Sequence, residues 1–248
     1  MSAQTRFELY YWPSIQGRGE FVRLAFEDAG VRYLDVARLP RAKGGGEAAI
    51  LKVLRGKPSA RLPFAPPILK VGRLLIAQTA NILQYLAPRL GLIGDTEAER
   101  FFAQQLQLTI ADCVAEVHDT HHPVASSLRY QDQRREARRR SAHFITERMP
   151  KFLGYFEHLL GQPKKGRRHL VGSAFSYVDL SMYQLLSGLA YAFPRAFGRQ
   201  ATSIPGLLAL RDAVANRPRI AAYLNSPRRI PFNEDGIFRH YPELDHGA

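Results

Sequence analysis

The chain has 248 residues, 46% of them hydrophobic, with 28 arginines against seven lysines and a formal net charge of +13. That length carries a full core as one large domain or two smaller ones, and no apolar run approaches the ~20 residues that a membrane-spanning helix needs. A single cysteine, Cys113, excludes an internal disulfide and a Cys-x-x-Cys redox motif and fits a reducing compartment, and Met1 to Arg6 hold no apolar secretory stretch, so a cytoplasmic protein is expected.

Phe7 to Trp12 is rich in aromatics and reads as a strand. Val22, Ala25, Phe26 and Ala29 fall at i, i+3, i+4 and i+7, so a helix follows, and Gly30 suits its left-handed C-terminal position. Pro13, Gly17 and Gly19 make the turn between them. A helix N-terminus carries about half a positive charge and free N–H groups. This strand–turn–helix is therefore suited to hold an anionic group beside a phenol from Tyr10 or Tyr11, with Ser14 as a further hydroxyl in the turn.

Arg32 to Val36 alternates as a second strand, and the loop after it encloses a short helix from Glu47 to Leu54. Pro66-Pro67 enters a strand, Ile68 to Val71, and Gly72-Arg73 turns it into Leu74–Ile76, an antiparallel hairpin. The Pro66–Pro67 bond is of the only type that readily becomes cis. Gln78-Thr79 opens a helix that runs to Leu90 and ends at Gly91; Thr79 either caps it or meets a ligand carboxylate.

Beyond a linker at 91–96 the pattern is helical only. Glu97 to Ser127 is one amphipathic segment, with Phe102, Leu106, Ile110, Cys113, Val114 and Val117 on its apolar face. Gln131 to Leu160 is a second, which Pro150 should kink or restart. Ser176 and Asp179 stand as N-cap and N3 of a capping box, with Phe175 and Leu180 at the positions of a hydrophobic staple. The helix they open, to Leu189, is apolar all round and should be buried. Two shorter helices begin at Ile204-Pro205 and Arg217-Pro218, and Ser226 to Ala248 is an aperiodic tail that packs or frays.

Arg134, Arg135, Arg138, Arg139 and Arg140 concentrate the positive charge. No aromatic interleaves them and no groove-reading motif is present, so a solvated helix face is expected and a nucleic-acid partner is not. His118 and His122, at i and i+4, have a spacing that can bind a metal, or they flank a cleft.

Taken in order, these pieces resemble a cytosolic glutathione transferase over nearly the whole chain. The matching residues are Tyr11-Trp12, Gly17-Arg18-Gly19-Glu20, Pro67-Ile68-Leu69, Gln78 to Leu83, Asp112, Ser176-x-x-Asp179 and Arg217-Pro218. Tyr followed by Trp at the end of strand one is similar to the tyrosine-type classes. The resemblance implies a thioredoxin-like N-terminal domain (1–90), an all-helical domain with a tail (97–248), and a homodimer. It implies conjugation of the glutathione thiolate, as co-substrate, to small hydrophobic electrophiles, with no metal. A peroxidase or isomerase use of glutathione, or a non-catalytic glutathione-binding role, are the alternatives. By the same resemblance Tyr11 activates the sulfur. Arg18, Lys57, Pro66, Pro67, Gln78 and Thr79 bind glutathione, and Asp112 does so from the partner subunit. Ile15, His118 and His122 border the electrophile site. The turn between Pro13 and Gly17 has about one residue more than the family pattern, which keeps Tyr10, Ser14 and a backbone N–H in contention as activators.

Overall fold

The computed structural model describes residues 6–56, 61–161 and 168–245. Four short strands make one mixed sheet: β1 (Phe7–Tyr10), β2 (Tyr33–Asp35), β3 (Ile68–Val71) and β4 (Leu74–Ala77), in the order β2-β1-β3-β4. β1 and β2 are parallel because α1 (Gly19–Ala29) crosses between them; the hairpin β3–β4 and the pair β1–β3 are antiparallel.

The pleat of β1 divides its side chains between two layers. Phe7 and Leu9 join Val22 and Phe26 of α1 and Ile82 and Leu86 of α3 (Thr79–Leu90). On the other face Tyr10 joins Ile68, Val36 and Ile50, the last from α2 (Glu47–Arg55). A sheet covered by helices on both faces, in this order, is a thioredoxin-like unit.

The rest is helical: α4 (Glu97–Asp119), α5 (Arg134–His143), α6 (Met149–Leu160), α7 (Tyr177–Ala192), α8 (Pro194–Gln200), α9 (Pro205–Ala215) and α10 (Pro218–Leu224). Their core is continuous with the sheet unit, since Phe21, Leu24 and Ala25 of α1 and Leu83 and Ala87 of α3 belong to it. α7 lies at its centre, buried on nearly every side as its composition predicts. Its first turn is closed by Asp179, which accepts from the amides of Ser176 (2.8 Å) and Leu170 (2.9 Å).

Three elements depart from the pattern read in the sequence. α4 stops at Asp119 rather than running to Ser127: the Thr120 hydroxyl donates back to the Val117 carbonyl at 2.7 Å, and Pro123 disfavours helix in the residue before it. The segment from α5 to α6 is one helical run whose middle, Phe144–Arg148, widens to a π-helix just ahead of Pro150. A proline without an N–H removes one rung of the ladder there, and the extra residue absorbs the mismatch. α8, which has a proline at its first position, had no periodic signal at all.

The tail does not fray over its described length. Arg228 pairs with Glu27 and Arg229 with Glu20, both on α1. Further on, Ser141 donates to the Leu244 carbonyl, and the Asp245 carboxylate accepts from the amides of Arg195 and Ala196 at the start of α8. Arg134, Arg135, Arg138 and Arg139 are exposed, while Arg140 pairs with Glu116.

Candidate active site

The sheet register assembles the site. Tyr10, Ile68 and Ala77 lie in one row across β1, β3 and β4. One step further, at the same edge, come Tyr11, Pro67 and Gln78. The Pro66–Pro67 bond is cis. Gln78 has φ 70° and ψ 122°, a backbone state that side chains rarely adopt. Non-glycine residues held in such states gather at functional sites.

The pleat sends Tyr11 towards α1, opposite Tyr10. Its ring lies against the turn so closely that a Cβ on Gly17 would meet the hydroxyl and one on Gly19 would meet the ring. Gly17 also has φ +43°, so both the conformation and the close approach require glycine. The Tyr11 hydroxyl accepts the Arg18 amide N–H at 2.8 Å, one of the free donors at the N-terminus of α1. Burial raises the phenol's pKa; the Arg18 amide and the charges of Arg18 and Arg23 oppose that rise. Tyr10 is spent elsewhere: its hydroxyl donates to Glu8 at 2.9 Å, and burial together with that carboxylate pushes it up to about 12.

Thr79 closes the same corner by donating to the Arg18 carbonyl at 3.4 Å. Arg18, Thr79, Phe21, Ala111 and Val114 line a small cavity where α1, α3 and α4 meet. Tyr11, Arg18, Pro66, Pro67, Gln78 and Thr79 are thus brought together. Ile15 is part of the turn beside them, and His118 lies on α4 within the electrostatic reach of Arg18. The rings of His118 and His122 are stacked, with centroids 5.0 Å apart. Asp112 is exposed on α4 and does not line that cavity. Lys57 lies outside the described residues. Among the described residues no group of three or more His, Cys, Asp or Glu is placed to hold a metal ion. None of the helices there is long and apolar enough to cross a membrane.

Several contributors carry no local sequence signal. Arg23 is fully buried behind the turn; it pairs with Asp35 at 2.8 Å and Glu20 at 3.3 Å, and donates to the carbonyls of Ile15 and Gln16. A charged residue among Val22, Ala25 and Phe26, three after Glu20, was the one available hint. Gln16 reaches from the turn to the Ile230 carbonyl and accepts from Gln184 of α7 at 2.8 Å. Asn233 donates to the Ser14 carbonyl at 2.9 Å, so the tail lies across the turn.

The comparisons agree with this architecture. Residues 118–227 match the family model "Glutathione S-transferase, C-terminal domain". A glutathione S-transferase of Plasmodium falciparum is 26% identical over 223 residues, spanning 88% of this chain and 94% of that protein. The hematopoietic prostaglandin D synthase of Gallus gallus is 32% identical over 222 residues, again 88% of this chain and 94% of the relative. The solved pi-class glutathione S-transferase of Onchocerca volvulus superposes with a TM-score of 0.70, covering 93% of this chain and 98% of that one at 21% identity, and so shares its fold. With that breadth of match, and with a thioredoxin-like sheet docked on an all-helical unit, the chain belongs to the glutathione S-transferase family.

Proposed function

We propose that the protein transfers glutathione to small hydrophobic electrophiles in the cytoplasm, with residues 1–90 as the glutathione-binding unit and 97–248 as the helical unit. The observation that carries this is the Tyr11 hydroxyl seated on the Arg18 amide just ahead of α1, in the row that also holds Pro67 and Gln78. Because that hydroxyl accepts an N–H, its own proton is polarised for donation to a third atom. A free thiol has a pKa near 8.5. A donated hydrogen bond at the positive end of a helix favours the thiolate, and lowering the pKa by about two units corresponds to roughly 2.7 kcal/mol. The thiol proton leaves to solvent, the sulfur attacks an electrophilic carbon, and the leaving group departs with its electron pair.

In this reading Gln78 and Thr79 hold the γ-glutamyl end at the N-terminus of α3, and Arg18 supplies positive charge. Pro66 has no N–H, so it offers the cysteinyl backbone only its carbonyl. Lys57 takes the glycine carboxylate, and Ile15, His118 and His122 border the electrophile. Asp112 acts from the second subunit of a homodimer. Support for that dimer comes from the exposed face of α4, where Phe101 and Leu108 stand at i and i+7 and Asp112 one turn on, and from Phe64, which is 94% exposed beside the prolines.

Tyr10→Phe, Tyr11→Phe and Ser14→Ala made side by side test the assignment against a chlorodinitrobenzene. Tyr11→Phe should keep glutathione binding and lose about 10²-fold in turnover, the cost of one preorganised donor. The rise of its pH–rate profile should move towards the free thiol pKa. A Tyr11→Phe enzyme with unchanged turnover, beside an inactive Ser14→Ala, overturns the tyrosine assignment.

A further inference from the structure

The transferase reading gives Arg18 a place but leaves without a role a second cation, Arg239, whose charge is felt by His118 and His122 near the end of α4. Arg18 makes no ion pair with a carboxylate among the described residues, and neither does Arg239. Arg239 belongs to the tail segment that folds against His121: the His121 ring nitrogen Nε2 meets the Ile237 carbonyl at 2.8 Å, and the Tyr241 ring lies edge-on to the imidazole. Two of its N–H groups donate to the carbonyls of Gly236 (2.7 Å) and Asp235 (3.2 Å), which fixes the guanidinium. A guanidinium has five N–H donors, so three are left.

Between the two arginines runs one face of α4. Ala111 and Val114 line the small cavity with Arg18. His118 follows at i+7 from Ala111 on the same face, and His122 stacks on it just past the helix end. Burial, and then the charges of Arg18 and Arg239, hold His118 below the usual histidine range; burial and Arg239 bring His122 down to about 4. The imidazoles therefore stay neutral at physiological pH and present flat, weakly polar faces. Among the described residues the only carboxylate in ion-pair contact with the cluster is Asp119, 3.8 Å from His118 and half-exposed.

Resting on the transferase reading, we propose that the electrophile site is selective for compounds bearing a carboxylate on an apolar or aromatic body, with Arg239 gripping the carboxylate and the body lying over His118 and Val114. A guanidinium with two adjacent free N–H groups matches a carboxylate in bidentate fashion, and an anion is the ligand that an unpaired, partly desolvated pair of cations favours. The apolar wall of α4 keeps the requirement for a hydrophobic body. The chemistry is the ordinary one: the thiolate sulfur bonds to the activated carbon, and the leaving group takes the electron pair of the bond that breaks.

The test compares 4-chloro-3-nitrobenzoate with its methyl ester, each with glutathione and each corrected for its uncatalysed rate. The enzyme should favour the acid by about tenfold in kcat/KM, equivalent to ~1.4 kcal/mol, and the preference should shrink as salt is raised. Arg239→Gln should remove the preference through KM while leaving the ester rate within about twofold, and Arg239→Lys should restore part of it. The ester rate reports whether each variant is folded. Equal use of acid and ester, or a preference for the acid that Arg239→Gln leaves intact, overturns the inference while leaving the transferase reading in place. Failure to conjugate either compound, by a protein still retained on immobilised glutathione, overturns the transferase reading and the inference with it.

Discussion

His121 is almost wholly buried and bonded through Nε2 to the Ile237 carbonyl; since a carbonyl only accepts, Nε2 carries a proton. Burial lowers its pKa to about 3, although the bond to Ile237 opposes that, and the charge of Arg239 adds to the lowering. Unfolded, the same ring titrates near 6.5. Below that pH the unfolded chain takes up a proton that the folded chain refuses, so stability is whole above 6.5 and is lost as the pH falls towards 3. At pH 4.5 the linkage amounts to roughly 2.7 kcal/mol, on the order of 5–10 °C in melting temperature. His121→Asn should flatten that acid-side loss; identical slopes for the two proteins between pH 7 and 4.5 would rule it out. At this scale the placement of Tyr11 against the turn, opposite Tyr10, was legible, because neighbouring residues of a strand point to opposite faces. Gln16 and Arg23 were not, since what makes them matter is Ile230, Gln184 and Asp35, none of them a sequence neighbour within one turn.

Among the elements, the start of α7 was the most legible, and the reason is physical. A capping box satisfies the helix's free donors from within a span of four residues, so it can be read without the rest of the fold. What the span could not show is the second duty of Asp179, which also accepts the Leu170 amide from the preceding loop. The side chain is fully buried. Asp179→Ala would leave the Ser176 and Leu170 amides without partners, so it should destabilise the protein by about 2–4 kcal/mol. Chemical denaturation measures this, and Asp179→Asn should recover part of the loss. A cost under 0.5 kcal/mol would mean that water replaces the carboxylate. The end of α4 was hidden for the opposite reason: it rests on the hydroxyl of Thr120 and on Pro123, single residues inside a longer helical pattern, whereas Pro150 did mark the break that falls just ahead of it at Phe144–Arg148.

For the molecule as a whole, the exposed Phe64, Phe101 and Leu108 set an expectation for assembly. If the proposed dimer forms, Phe101→Glu places a charge on the apolar face of α4 and should split it in light scattering at micromolar concentration. The same variant should then weaken glutathione binding, since the proposal has Asp112 act across that interface. Asp112→Ala should weaken binding while the dimer and the melting temperature persist. A wild-type monomer with full glutathione affinity would sink both expectations. The sheet-then-helices plan was readable from the switch between alternating and 3.6-residue spacing. The path of the tail was not, because residues after Ser226 have no period and owe their place to single bonds with distant partners. Those bonds have a consequence for how the protein is made. Ser14 is held by Asn233, Gln16 by Ile230 and Glu20 by Arg229, each pair more than 200 positions apart. Synthesis at ~5–20 residues per second builds the sheet and α1 first, yet these three clasps on the turn and the first turn of α1 wait until residues 229–233 have left the ribosome. A nascent chain halted near residue 225 should therefore fold its sheet and still hold glutathione poorly, which makes the emergence of those five residues the step that switches the site on.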